Sequence, residues 1–220
     1  MNPFADVAAD TLSGPFFTLV VAISCAWCAG LGIAGTAFAL GLAMRIQPQF
    51  RPLEGLAFLA TPPALAFAGG LWLAEGLAMK VPGSCLAFSR RMAWPRIIAG
   101  GALAWFAAAS LPGDLRAAAA LIGCGLAMTV HAVRTGARMA ALSAGTAPFV
   151  VPVAGVVEDC LLASTILPLA VRPPLAVVML GIMGMAAALV AWVALPDVRR
   201  ASTQVFGTAP TGSSASGDSR

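Results

Sequence analysis

The sequence is poor in charge: only 10% of its 220 residues are Asp, Glu, Lys or Arg, whereas 60% are hydrophobic. A typical soluble domain has about 25% charged and about 45–50% apolar residues. A soluble chain of this length could not bury so much apolar surface, so several segments must face lipid. The apolar runs lack the short dyad alternation of a barrel strand. They predict an all-α, multi-pass integral membrane helical bundle whose partner is the lipid bilayer.

Catalytic and ligand-binding signatures are also scarce. The sequence has no HExxH, no GxSxG and no phosphate-binding glycine motif, and no nucleophile–base pair stands out, so an enzyme is disfavoured. No basic run is interleaved with aromatic residues, which argues against nucleic acid as a partner. The sequence has a single histidine, His131, so a metal site is a weakly supported alternative. No cofactor is predicted.

The five cysteines do not form a pattern typical of secreted domains. Their number is odd and most lie inside apolar runs, which argues against a disulfide framework. The stretch "CAWC", with Cys25 and Cys28, has the spacing of redox and zinc sites, but it lies within an apolar run and has no second pair. We interpret both residues as small apolar core residues, with a chemical role as the alternative.

The ends of the chain differ from its middle. Residues 1–14 contain Asp6 and Asp10 and no Lys or Arg, unlike the positive start of a signal peptide. We expect them to form a short N-terminal segment before a retained apolar anchor. Residues 15–196 are the predicted transmembrane helical domain. Residues 197–220 are rich in Ser, Gly and Thr and are predicted to be a disordered tail.

Six apolar segments can be compared with the roughly 20 residues that span a bilayer. The first, residues 15–44, is longer than needed, so we expect tilt, protrusion or a break in "AGLGIAG", around Gly32. In the second, residues 53–79, Pro62 and Pro63 should start or kink the helix. A loop is expected from residue 80 to 96. The remaining segments are predicted at 97–112, 115–141, 153–171 and 175–195, with a tight turn at "LPGD".

The basic residues between these six segments are distributed unevenly. Nine Lys and Arg residues fall on one side and four on the other. The positive-inside rule then predicts that both termini are cytoplasmic, in the cell inner membrane. A hairpin in the first segment would invalidate this count. The sequence leaves the oligomeric state open.

Charge is concentrated between residues 128 and 160. At 100° per residue, His131, Arg134 and Arg138 fall within about 60° on one helix face. Arg134 lies about 10 Å before the end of its predicted helix, and Glu158 about 9 Å after the start of the next. This matched depth predicts Arg134 next to Glu158 or Asp159. The two carboxylates are about 100° apart, so one of them must address another helix or a cavity. Its possible partners are Lys80, Arg90 and His131.

Charged side chains inside a membrane are costly unless they are paired, and they usually face the interior of the bundle. The favoured interpretation is an ion-pair clamp between two helices, with His131 as a hydrogen-bonding core residue. The functional alternative is a polar cavity for an ion, a proton or a head group. Glu75 and Lys80 complete the candidate set. For Glu75 we favour solvation at the interface, with contact to the cluster as the alternative.

Four motifs recur in an order that resembles a known family. They are "EGLAMKVPG", "WPRIIAGGAL", "HAVRTGAR" and "VVED", and they span about residues 30–180. The chain is similar to the bacterial membrane family called domain of unknown function 4126. It departs from the family pattern at Met79 and Cys85, where relatives carry acids, at Trp94, and at small residues such as Gly155. The family has no established activity, so the resemblance implies a membrane protein with a retained polar cluster.

Two hypotheses remain. The first is a small transporter-like or lipid-handling membrane protein, suggested by ionisable residues at membrane depth and by Pro and Gly interruptions of the helices. Its ligand would be a small molecule, an ion or a lipid. The alternative is a non-catalytic scaffold or assembly partner in which the same charges only lock helices together.

Overall fold

A computed structural model describes residues 14–47, 54–80 and 82–171, with single residues and short stretches between 175 and 188. The described residues are helices and turns without a strand, which confirms the all-α class. The helices are α1 (Pro15–Leu31), α2 (Ile33–Ile46), a 3-10 helix (Glu54–Ala60), α3 (Pro62–Lys80), α4 (Pro82–Arg91), α5 (Ala93–Ala107), α6 (Gly113–Ser143) and α7 (Ala147–Val171).

Two of these helices are long and apolar enough to cross a membrane, namely α6 and the part of α7 from Pro148 to Leu169. The described fold is therefore consistent with a helical membrane protein, and six crossings stay a prediction. The predicted N-terminal segment up to residue 13, most of the sixth segment and the predicted disordered tail lie outside the described residues.

The first apolar run is broken at Gly32. Of the three alternatives that its length allowed, the structure shows the break, in the stretch where a break was expected. The backbone is extended there, with φ −170° and ψ 120°, between the end of α1 and the start of α2. The two helices have 17 and 14 residues, which correspond to about 26 Å and about 21 Å. Each piece is shorter than the roughly 30 Å of a bilayer core.

The direction of α1 follows from its neighbours. The Thr18 hydroxyl, near the start of α1, lies 3.5 Å from that of Ser110, in the turn between α5 and α6. Near the end of α1, a Cβ on Gly30 would lie 2.7 Å from the Cβ of Val130, far along α6. Helix α1 therefore runs parallel to α6 and away from the 108–112 turn. We call the end of the bundle that contains this turn the turn end, and the opposite one the α4 end.

Helix α2 runs back towards the turn end. A Cβ on Gly35 would touch Trp72, Gly69 lies against the Phe38 ring, and Gly41 lies against Leu65. As residue numbers rise along α2, the numbers of its partners on α3 fall, so the two helices are antiparallel. Near the end of α3, Met79 accepts a hydrogen bond from Arg138, which lies far along α6. Since α3 is parallel to α6, α2 is antiparallel to α1. Residues 15–46 form a helical hairpin with its tip at Gly32.

This hairpin changes the count of crossings on which the predicted orientation rests, so the cytoplasmic placement of both termini stays a prediction. The interpretation of the CAWC stretch agrees with the fold. Cys25 and Cys28 are fully buried free thiols in the core between α1 and its neighbours.

Small residues permit close packing of α1, α5 and α6. A Cβ on Gly123 would lie 2.8 Å from both the Ala104 Cβ and the Gly100 carbonyl oxygen. Such contacts bring backbones together where no hydrophobic drive acts between helices. They hold α1 beside α5 and α6, and so determine where the hairpin tip lies.

The predicted loop at residues 80–96 was wrong. Lys80 ends α3, and the described residues from 82 onwards form α4 and the first turn of α5. The basic residues suggested a loop, but Arg90 and Arg91 are exposed while Ser89 is fully buried. A short helix with one buried and one charged face accounts for this composition. In the second segment the prediction was correct, because α3 begins at Pro62.

Candidate functional site

The charged side chains of four helices meet inside the bundle. We call this group the polar cluster; it comprises Glu75 of α3, Arg96 of α5, His131, Arg134 and Arg138 of α6, and Glu158 and Asp159 of α7. The three α6 residues share one face, as predicted, and are 0%, 8% and 1% exposed, respectively. Six of the seven predicted site residues are thus brought together. The side chain of the seventh, Lys80, lies outside the described residues.

Glu158 bridges two guanidinium groups. Arg134 Nη2 lies 2.6 Å from Glu158 Oε2, and Arg138 Nη2 donates to Oε1 at 3.0 Å and to Oε2 at 2.9 Å. The predicted pairing of Arg134 with the Glu158–Asp159 pair is confirmed at Glu158. Arg138 joins because it lies one helical turn after Arg134 on the same face.

Asp159 addresses another helix, as expected of the second carboxylate. Trp72 Nε1, on α3, donates a hydrogen bond to Asp159 Oδ1 at 3.2 Å. The Trp72 ring also stacks on Phe38 of α2, with centroids 5.8 Å apart. Trp72 was not among the predicted partners. Of those, Arg90 is exposed and His131 bonds to Arg96.

Glu75 faces the cluster, so the favoured prediction of interfacial solvation was wrong. Its carboxylate forms an ion pair with Arg96, whose side chain is completely buried. Sequence reasoning missed Arg96 because it placed the residue in a loop. Since α5 begins at Ala93, Arg96 lies in its first turn. A cation in the first turn interacts unfavourably with the helix dipole. This position therefore indicates that Arg96 needs an acidic partner.

His131 is a hydrogen-bonding core residue, as predicted. Its Nδ1 lies 3.2 Å from Arg96 Nη1. A guanidinium has no acceptor, so it must donate and Nδ1 must accept. The neutral imidazole therefore carries its proton on Nε2. His131 in this way helps to hold Arg96, whose other terminal nitrogen, Nη2, donates to Glu75.

The hairpin tip is attached to the cluster. The final carbonyls of a helix have no partner within it, and here Arg134 Nη1 donates to the Leu31 carbonyl. On the other side of the break, the Thr36 hydroxyl donates to the Gly32 carbonyl at 2.7 Å. A Cβ on Gly32 would lie 3.7 Å from Glu75 Oε1. The break at Gly32 thus lies against α6 through Arg134 and against α3 through Glu75.

A small cavity of about 30 Å³ lies at this point. This is room for about two water molecules. Its charged lining consists of Glu75, Glu158, Asp159 and Arg134; the remainder comprises Leu31, Gly32, Gly35, Trp72, Gly76, Met79, Gly155 and Leu162. The lining contains three carboxylates and one guanidinium group. Arg96 and Arg138 lie behind it and pair with Glu75 and Glu158, so the polar cluster as a whole is balanced in charge.

The donor set around the cavity suits a proton better than a metal ion. Within the described part of the chain, no three His, Cys, Asp or Glu residues are grouped so that they could hold a metal. The Glu75 and Glu158 carboxylates already accept from guanidinium groups, which leaves few oxygen lone pairs for coordination. Binding of a proton requires only one free lone pair.

A family model described as "Domain of unknown function (DUF4126)" matches residues 19–194. The matched range contains the hairpin from residue 19 onwards and the whole polar cluster. No curated protein and no solved structure matches the chain.

Proposed function

The chain belongs to the DUF4126 family, and we propose that it is a transporter-like protein of the cell inner membrane whose cavity at the hairpin tip binds and releases a proton. One observation carries this proposal. The carboxylates of α3 and α7 converge with the ends of two half-helices on a water-sized cavity. Discontinuous helices that meet at membrane depth are how many transporters build their ion sites.

The size of the cavity supports an ion over a lipid. About 30 Å³ is far below the roughly 300–1,000 Å³ of pockets that enclose drug-sized ligands. Irregular backbone at membrane depth is tolerated where it is buried in protein or lines a water-filled space. The break at Gly32 meets this condition, since Gly32 is a lining residue.

The proposed proton acceptor is Glu75. It has a single guanidinium partner, Arg96, among the ion pairs of the described residues, whereas Glu158 has two. Protonation of Glu75 weakens one ion pair, while protonation of Glu158 would weaken two and would strand more buried charge. Glu75 is also next to the break, against Gly32. Release of Glu75 from Arg96 would free a lining group at the hairpin tip.

Proton flux into proteoliposomes tests the proposal. A pH-sensitive dye inside the vesicles should report proton entry driven by a pH gradient with the wild type, and entry at least tenfold slower with Glu75→Gln. Asp114→Asn is the matched control, because Asp114 is an exposed acid in the first turn of α6. It should behave as wild type. Equal rates for wild type, Glu75→Gln and empty vesicles would refute the proposal, provided that the proteins remain folded.

A scaffold function is the second candidate, and one observation favours it. Arg134 ties three helices together, since it bonds to Leu31 of α1 and pairs with Glu158 of α7 from its own helix, α6. Such a clamp needs no ligand. It is supported if neither wild type nor variant conducts protons while Glu158→Gln destabilises the fold.

A further inference from the structure

Two arginines at the α4 end differ from the other arginines of the described chain. Arg90 and Arg91 are exposed, and neither takes part in a hydrogen bond or an ion pair among the described residues. Even Arg45, which is also exposed, donates to the Ala60 carbonyl. The arginines that donate to a group of the protein are Arg45, Arg96, Arg116, Arg134 and Arg138. Arg90 and Arg91 thus present two guanidinium groups that the described fold does not use.

The helix face that carries this pair continues into α5. Met92 separates α4 from α5, but its N–H donates to the Phe88 carbonyl at 2.9 Å. The Arg96 N–H in turn donates to the Met92 carbonyl at 3.1 Å. Because each of these bonds joins a residue to the fourth one before it, helical geometry applies across the junction. The residues that share one face, within about 100°, are Arg90, Arg91, Trp94 and Ile98.

This face, which we call the arginine face, points away from the bundle. Trp94 and Ile98 are 62% and 65% exposed, whereas Ser89 and Ala93, on the other side of the same helices, are both 0% exposed. From the α4 end inwards, two guanidinium groups are followed by an indole and then by an aliphatic side chain. Tryptophan is enriched at the level of lipid head groups, and arginine extends its charged end outwards from apolar surface. This order matches the boundary between head groups and hydrocarbon.

We propose that the arginine face binds the head group of an anionic phospholipid. The two guanidinium groups hold the phosphate, because their planar arrays of N–H donors match phosphate oxygens. Trp94 and Ile98 contact the start of the acyl chains. An anionic head group neutralises positive charge that no carboxylate of the described residues balances. A free phosphate ion would gain nothing from the exposed indole and aliphatic side chain, which favours a lipid.

The lipid site is separate from the polar cluster. Arg96 belongs to the same helix as Trp94, but its side chain is completely buried and pairs with Glu75. It lies about 160° from Trp94 around the helix, on the side that faces the bundle. Binding of the lipid therefore does not depend on the proposed proton function.

Native mass spectrometry of the full-length protein in detergent micelles measures the binding. Phosphatidylglycerol is the anionic probe, and phosphatidylcholine with the same acyl chains is the comparison without net charge. The test variant combines Arg90→Gln with Arg91→Gln. The matched control combines Arg45→Gln with Arg116→Gln, which removes the same charge from arginines that donate to protein carbonyls.

We expect wild type to bind phosphatidylglycerol about tenfold more tightly than phosphatidylcholine. The test variant should lose most of this preference, and the control should keep it. The test variant should also unfold at the wild-type temperature, because neither arginine has a partner to lose.

Equal affinities of wild type for the two lipids would overturn the inference whatever the variants do. An unchanged preference in a folded test variant would overturn it too. Equal losses in the test and control variants would also contradict it, because they would show a response to net charge alone. The dye experiment is a separate readout, so either idea can fail alone.

Discussion

The two acids that carry ion pairs in the polar cluster are held in different ways. Glu158 pairs with Arg134 and Arg138, on the helix that precedes its own in the chain. Glu75 pairs with Arg96, which is held in turn by His131 on a third helix. The first half is a clamp that is local in sequence, whereas the second is a chain of contacts between distant elements. The clamp joins α7 to α6 through one carboxylate, whereas the chain joins α3 to α5 and α6.

The clamp also holds the hairpin tip, because Arg134 bonds to the Leu31 carbonyl. Labelling of single cysteines can test whether residues 15–46 fold back as a hairpin. Single cysteines at Gly14, Arg45 and Ser110, in a background with the native cysteines replaced, should react with a membrane-impermeant thiol reagent from one side. A cysteine at Arg90 should react from the other, because Arg90 lies at the α4 end. Labelling of positions 14 and 45 from opposite sides would show that the first run crosses once.

Removing the charge of Glu158 should have the largest energetic effect. Glu158→Gln removes the carboxylate that pairs with two buried guanidinium groups. Breaking a buried pair typically costs about 3–5 kcal/mol, and we expect an unfolding free energy lower by about that amount. Thermal unfolding in detergent micelles measures it, with Asp114→Asn as an exposed-acid control. A loss within the error of the control would contradict the clamp.

A smaller effect is expected where Asp159 meets α3. Trp72→Phe removes the Nε1 donor but retains a ring that can stack on Phe38. A hydrogen bond to a charged group contributes about 1.5–3 kcal/mol, so stability should fall by at most that amount. The comparison with Glu158→Gln in the same assay ranks the two contacts. A larger loss for Trp72→Phe would place the main clamp between α3 and α7.

The contacts that sequence reasoning predicted are those governed by local periodicity. The shared face of His131, Arg134 and Arg138 follows from 3.6 residues per turn. The contact of Arg134 with Glu158 follows from a short turn between two helices that end at equal depth. The excess length of the first run follows from its composition, and the glycine-rich stretch around Gly32 is where a break was expected among the three alternatives. Each inference needs only the chain within about 30 residues.

The contacts of the misassigned residues depend on how elements distant in sequence pack together. Arg96 was placed in a loop and Glu75 at the interface, since neither has an opposite charge within one helical turn. Their pairing requires α3 and α5 to meet beside α6. Trp72 was missed as the partner of Asp159 because an indole carries no charge to mark it.

The sequence by itself determined that this chain is helical and apolar, that its first run is longer than one bilayer crossing needs, and that Arg134 meets the Glu158–Asp159 pair. These features follow from composition and from the geometry of a single helix or a single turn. Only the tertiary structure decided that α2 folds back on α1, that Glu75 pairs with Arg96 and that a cavity lies at the hairpin tip. The physical reason is that close contacts at Gly35, Gly41 and Gly100 set the direction and spacing of helices, and no local pattern encodes which surfaces will meet.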